Sequence, residues 1–438
     1  MSGKIRRVLT NIGLVLFGVI LALTVAELVL RAITPKTYAT TPGVLQDPLI
    51  QWAQQWKNVP TKILAEPDPL LGWRHIPNAK GWHITSEYSV LVSFNSKGIR
   101  GPEYTYDKSK GEYRIFILGD SFAEGYTVEF SELFSTVLEE KLNERQDRFY
   151  QVLNAGTGGY STDQELLLFQ DEGIKYSPDL TILMFYYNDV WDNNQPRIWT
   201  GSKPHFTLEN GELVPANALV IEQDVEVKQT DKNEPKEESL SMRMKKWLNT
   251  KSYLYRFVSS KIMGSPSLYR LAVKLGWAEY TEPEQQETEQ TSQIPDKFRV
   301  WKTTYDDDIN YCWRLTEALI LKLREEAASI DGRLLVFYIP SRATIYEEEW
   351  EATKKEYAMA DEQWNIEQDR IELQSICREN NIDLVDPTEQ MRVEASKIAK
   401  EGRRLYFIID GHWTSEGHKL VGELLAEYII TNYLDSQE

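Results

Sequence analysis

Five short apolar runs, at residues 114–118, 150–154, 180–187, 334–339 and 382–385, most constrain what this chain can fold into. Several are near-continuous, as in Ile115-Phe116-Ile117-Leu118. A strand with one wet face alternates apolar and polar residues, whereas a strand covered on both faces need not. Between the runs lie stretches with helical character, among them 131–145, 163–172, 306–329 and 364–380. Strand and helix in alternation imply a parallel sheet with helices on both faces. The expected fold class is therefore α/β, with three α/β/α layers around a parallel five-stranded sheet. In such a sheet, reactive groups gather beyond the carboxyl ends of the strands.

The residues just beyond each run are therefore informative. Gly119-Asp120-Ser121 comes after the first. The second leads into a glycine-rich turn holding Gly156, Gly158 and Gly159, and the third into Asn188-Asp189. Near the C-terminus, Asp410-Gly411-His412-Trp413 comes after an apolar stretch and before the last helical segment. These residue types suit acyl transfer. A serine hydroxyl is a weak nucleophile until a base takes its proton. His412 can be that base, and Asp410 can orient the imidazole and stabilise its cation. The tetrahedral intermediate needs preorganised donors. The Ser121 amide, a glycine amide and the Asn188 side-chain amide are candidates.

Plainer readings stand beside these. Ser and Asp are good helix caps, so the tripeptide alone is a weak sign. Asp189 and Asp386 read as caps or hydrogen-bond partners. His418 is a second candidate base. His75, His83 and His205 read as surface or packing residues. Arg100, in the turn Asn95-Ser96-Lys97-Gly98-Ile99-Arg100-Gly101, reads as structural, with reach into the crevice as the alternative.

Together the blocks resemble the SGNH, or GDSL-type, hydrolase superfamily over residues 112–435. Gly119-Asp120-Ser121 matches its first block, Gly159 with Gly158 its oxyanion-hole glycine, Asn188-Asp189 its third block, and Asp410 with His412 its last. The resemblance implies a flavodoxin-like strand order, a Ser121–His412–Asp410 triad, and an oxyanion hole from Ser121, Gly159, Gly158 and Asn188. It implies hydrolysis of small acyl esters, on carbohydrate or envelope glycan. Two positions depart from the pattern. Tyr186 stands where the third block has glycine, and Asp410 is two residues from His412, not three. The Asp-x-His-Trp form is similar to that of SGNH-like polysaccharide O-acetyltransferases. That makes transfer the alternative to hydrolysis, with an acyl-donating membrane partner. A non-catalytic envelope scaffold is the alternative outside the enzymes.

The N-terminus adds a location. Lys4, Arg6 and Arg7 precede Val8 to Ala26, which carries no charge. About twenty apolar residues suffice to span a bilayer, and the preceding cations favour a cytoplasmic N-terminus. The expectation is a single-pass anchor in the inner membrane with the catalytic part extracytoplasmic; a cleaved signal peptide is the alternative. The chain then divides into an anchor (1–34), a stalk and small β-rich apron (35–112), and a first core part (113–194). Next come an inserted helical lid between acidic linkers (195–303) and a second core part (304–438). The lid holds a basic stretch, Arg243 to Lys274, without an acid. The net charge of −18 argues against nucleic acid as a partner. Two cysteines are too few for a disulfide scaffold or a Cys-rich zinc site, and no cofactor or metal is expected. Cys312 and Cys377 fall at opposite ends of neighbouring helices, so two unpaired buried thiols are expected.

Overall fold

The computed structural model describes residues 3–33, 38–40, 61–85, 87–198, 201–216 and 294–435. By internal contacts the chain divides into two units: residues 1–38, 46–62 and 224–285 in one, and 39–45, 63–223 and 286–438 in the other. In the first, Gly3–Ile33 is one helix of 31 residues. Leu14, Val15, Phe17, Leu21, Leu23, Val25, Leu28 and Val29 are exposed on it. Among the described residues, no helix is long and apolar enough to cross a membrane.

The second unit is built on a five-stranded parallel sheet. Its strands are β1 (Glu112–Gly119), β2 (Phe149–Asn154), β3 (Leu180–Phe185), β4 (Arg333–Tyr338) and β5 (Asp383–Val385). Their spatial order is β5-β4-β3-β1-β2, the flavodoxin-like order. The register sets Ile117 beside both Asn154 of β2 and Ile182 of β3, so the strand ends form one edge.

Successive side chains point to opposite faces, and two cores result. Phe116, Leu118, Leu153, Leu183, Phe185, Val336 and Tyr338 face one side. There they meet α2 (Thr162–Asp171), α3 (Asp307–Ala328) and α4 (Gln368–Glu379) through residues such as Phe169, Leu319 and Leu373. Ile115, Ile117, Ile182, Met184, Leu335 and Phe337 face the other. That face carries α1 (Phe134–Asn143), α5 (Thr388–Ala399) and α6 (Ser415–Ile429). In α3 the buried set Ile309, Cys312, Trp313, Thr316, Leu319, Ile320 and Leu323 recurs every three or four residues, as an amphipathic helix requires. Cys312 and Cys377 are both buried and free.

Some expected boundaries move. β3 stops at Phe185, and Tyr186 and Tyr187 turn out of the sheet. The helix expected at 364–380 starts only at Gln368, because Trp364 bridges back to Lys302. α5 is an addition to the expected elements. Both margins of the expected insertion belong to the α/β unit: Phe206, on the hairpin Phe206–Glu209/Glu212–Pro215, and Val300 and Trp301 are buried in its core. The expected basic lid lies within 217–293, outside the described residues, as does most of the stalk. The apron is β-rich. Ala65–Asp68 pairs with Gly72–His75, and Lys80–Ile84 with Ser89–Ser93.

Candidate active site

β1 delivers Ser121. The strand ends at Gly119, where a Cβ would lie 2.7 Å from Ala123 Cβ and 2.8 Å from Met184 Cβ. Only glycine lets the chain turn that tightly against β3. Asp120 then caps the short helix Ser121–Glu124, its Oδ1 accepting from the Phe122 amide at 2.8 Å. Burial pushes the Asp120 carboxyl up to about 6. Gly125, at φ 62°, ends the helix in the left-handed conformation.

The candidate base, His412, arrives from a loop 291 residues further along the chain. The Tyr406–Trp413 bridge and the Phe407 amide, which donates to the His412 carbonyl at 2.8 Å, close this loop. Gly411 takes φ 85° at its tip. Asp410 Oδ1 therefore meets two groups of His412, Nδ1 at 2.7 Å and the amide at 3.2 Å. This local closure is why a two-residue spacing suffices.

His412 Nε2 lies 2.6 Å from Ser121 Oγ. A carboxylate can only accept, so Nδ1 carries the proton and Nε2 is free to accept from the serine hydroxyl. The Asp410 side chain is 5% exposed and that of His412 18%. Burial alone would lower the imidazole, but the adjacent Asp410 charge outweighs it and holds His412 above its ordinary value. Burial would raise Asp410, yet His412 and the Tyr88 hydroxyl hold it below the usual carboxylate range. Phe122 packs on the imidazole with ring centroids 4.5 Å apart, and Tyr186 packs on Phe122 at 4.7 Å.

The expected oxyanion donors are arranged less simply. Gly158 adjoins the nucleophile, since a Cβ there would lie 3.9 Å from Ser121 Cβ. Its amide, however, donates to Glu124 Oε2 at 2.7 Å and is not free for substrate. Gly159 is next, at φ 81°, and is half-buried. The Asn188 side chain donates to Asp192 Oδ2 at 3.0 Å, one helical turn on, which leaves one N–H of its amide. Asp189 is buried, and its Oδ2 accepts from the Tyr186 amide at 3.4 Å. Asp386 caps the turn before α5 through the Thr388 amide at 3.0 Å.

His418 is not the base. It is 1% exposed, stacks on Phe134, and burial pushes it down to about 3. Arg100 stays out of the crevice: its guanidinium, 2% exposed, donates to the carbonyls of Glu124, Gly125 and Val128. It thereby ties the apron under the nucleophile turn.

Four contributors carry no signal in the sequence pattern. Tyr88 Oη donates to Asp410 Oδ2 at 2.8 Å. Glu87 accepts from the backbone of the Asp410 loop. Tyr126 Oη sits 3.2 Å from His412 Nδ1. Glu124, buried, also faces His75 Nε2 at 3.4 Å. His75 and His83 are packed in the apron, and burial pushes His83 down to about 4. Among the described residues, no group of three or more His, Cys, Asp or Glu is placed to hold a metal ion.

No family model matches the chain, and no curated protein matches it. Solved structures do. One is an acetyl xylan esterase, AlAXEase, with 12% identity over 72% of this chain and 100% of that one, at a TM-score of 0.37. A second is a catalytic mutant of Axe2, an acetylxylan esterase from Geobacillus stearothermophilus (9% identity, 72% and 94% covered, TM-score 0.35). A third is a lipolytic protein of the G-D-S-L family from Desulfitobacterium hafniense (11% identity, 72% and 98% covered, TM-score 0.33). Likeness this distant leaves the functional class to the side chains. Their connectivity is Ser121 hydroxyl to His412 imidazole to Asp410 carboxylate, at the carboxyl edge of a flavodoxin-order sheet.

Proposed function

We propose that this chain is a serine esterase of the SGNH type, cleaving small acyl esters. The 2.6 Å approach of Ser121 Oγ to His412 Nε2, with Asp410 on the far nitrogen, carries the reading. Ser121 attacks the ester carbonyl while its proton passes to His412 Nε2, and Asp410 stabilises the imidazolium. The Ser121 and Gly159 amides and the remaining Asn188 N–H hold the oxyanion. Collapse expels the alcohol, which takes the proton from His412, and leaves the acyl group on Ser121. Water, activated by His412, then releases the acid.

The natural ester is on carbohydrate or envelope glycan in this reading. Transfer to a sugar hydroxyl is the second reading, because the Asp410-Gly411-His412-Trp413 loop keeps the two-residue spacing of the O-acetyltransferases it resembles. We also propose, from the charge pattern of the sequence, that the N-terminal segment anchors the protein at the cytoplasmic membrane with the α/β unit outside, although the described residues of Gly3–Ile33 do not by themselves make a spanning helix. The uncharged Val8 to Ala26 and the exposed apolar side chains of that helix support this.

The full-length protein in detergent micelles, given a fluorophosphonate probe, should label on Ser121, and Ser121→Ala should not label. Equal labelling of both would end the assignment. Incubation with p-nitrophenyl acetate, with and without a glycan acceptor, separates hydrolysis from transfer by whether the acetyl group appears in acetate or on sugar.

A further inference from the structure

The apron reaches the active site through Glu87 and Tyr88. Glu87 accepts from three successive amides of the catalytic loop: Ile408 at 2.8 Å, Ile409 at 3.0 Å and Asp410 at 2.8 Å. Tyr88 donates from its hydroxyl to Asp410 Oδ2 at 2.8 Å, and its ring lies 5.1 Å from that of Phe407. The two Asp410 oxygens are thus divided. Oδ1 serves His412 and Oδ2 serves Tyr88.

This division matters because the carboxylate could turn. The 407–411 loop has no regular secondary structure, and Ile408 and Ile409 are exposed at 60% and 50%. Core packing therefore does little to hold it. Besides the bonds that close it on itself, the loop is restrained by Arg342, which donates to the carbonyls of Phe407 and Ile408. A carboxylate with one unpartnered buried oxygen rotates or recruits water to satisfy it, and rotation removes Oδ1 from the imidazole. Outer partners of this kind fix the orientation of groups that do chemistry.

We propose that Tyr88 and Glu87 are positioning residues of the triad, Tyr88 locking the rotation of the Asp410 carboxylate and Glu87 fixing the backbone that carries it. The apron is then part of the catalytic apparatus. This rests on the esterase reading of Ser121, His412 and Asp410. The groups facing His412 and Asp410 are Asp120, His83, His418, Tyr88 and Tyr126, with Glu87 and Arg342 at the loop backbone.

The test uses Tyr88→Phe, which keeps the ring and removes one hydroxyl, in the full-length protein. Turnover of p-nitrophenyl acetate is measured, and the His412 imidazole is titrated by NMR on protein carrying ¹⁵N-histidine. A positioning role predicts kcat lower by about tenfold with KM nearly unchanged. It also predicts that His412 titrates at lower pH than in the wild type, because Asp410 has turned away. Glu87→Ala should move both quantities in the same direction, and it serves if Tyr88→Phe melts at a much lower temperature. Wild-type kcat and titration in both variants would overturn the proposal. So would a His412 titration moved to higher pH, which would mean that Tyr88 only screens the Asp410 charge. The titration needs no turnover, so an inactive wild type would sink the esterase reading while still deciding the positioning question.

Discussion

At the residue scale, His412 sets the pH dependence. In the proposed reaction the neutral imidazole is the base, and Asp410 holds its pKa above the ordinary value of about 6.5. Raising the pH through that pKa removes the proton that blocks catalysis. We expect kcat/KM to climb with pH along a limb centred above 6.5, as a pH–rate profile of p-nitrophenyl acetate turnover will show. Asp410→Asn removes the charge that raises it, so the limb should shift to lower pH while kcat falls by roughly 10³ to 10⁴. A limb that stays in place would argue that Asp410 does not act on His412. The three triad residues are legible in the sequence because each comes after an apolar run in a recognisable block. Gly158 reads wrongly as a free donor, since no spacing reveals that Glu124 takes its amide. Tyr88 is invisible for a different reason: 322 residues separate it from Asp410, and a tyrosine in a turn has no motif.

At the scale of elements, the sheet is easier to read than the helices around it. Strands buried on both faces announce themselves as apolar runs, and β1 to β4 do so. The α5 helix buries only Met391, Ala395 and Ile398 deeply enough to leave a pattern, along with Thr388 at its start. So thin a stripe in a polar segment resembles loop. The margins of the insertion are misplaced by sequence because isolated residues, Phe206 and Trp301, tie them to the core without any period. The turn from β1 into the Ser121 helix yields a prediction of its own. Gly119→Ala places a methyl against Ala123 and Met184, contacts under 3 Å that neither neighbour can relieve cheaply. The cost should be about 1–3 kcal/mol, read as a lower melting temperature. Labelling by fluorophosphonate should fall more steeply than stability, because the displaced backbone carries the nucleophile.

At the scale of the whole molecule, acids buried behind the nucleophile govern stability toward pH. Glu165 is fully buried, with neither carboxyl oxygen partnered among the described residues. Burial, reinforced by Asp120 and Asp163, holds it well above the usual carboxylate range. It stays protonated in the folded chain, while the unfolded chain ionises it above about 4.3. Rising pH therefore favours unfolding, until the folded group also ionises. Glu165→Gln should melt close to wild type near pH 4 and become progressively more stable above it, on the order of 1 kcal/mol per pH unit. Melting curves at several pH values check this, and a constant difference would show Glu165 to be ionised in the fold. The wide spacing of the triad has a consequence in time. Ser121 and His412 are 291 residues apart, and ribosomes add about 5–20 residues each second. For roughly 15 to 60 seconds a growing chain holds its nucleophile without its base. In the proposed mechanism a copy that has not yet reached His412 lacks its base, and synthesis past that residue completes the triad.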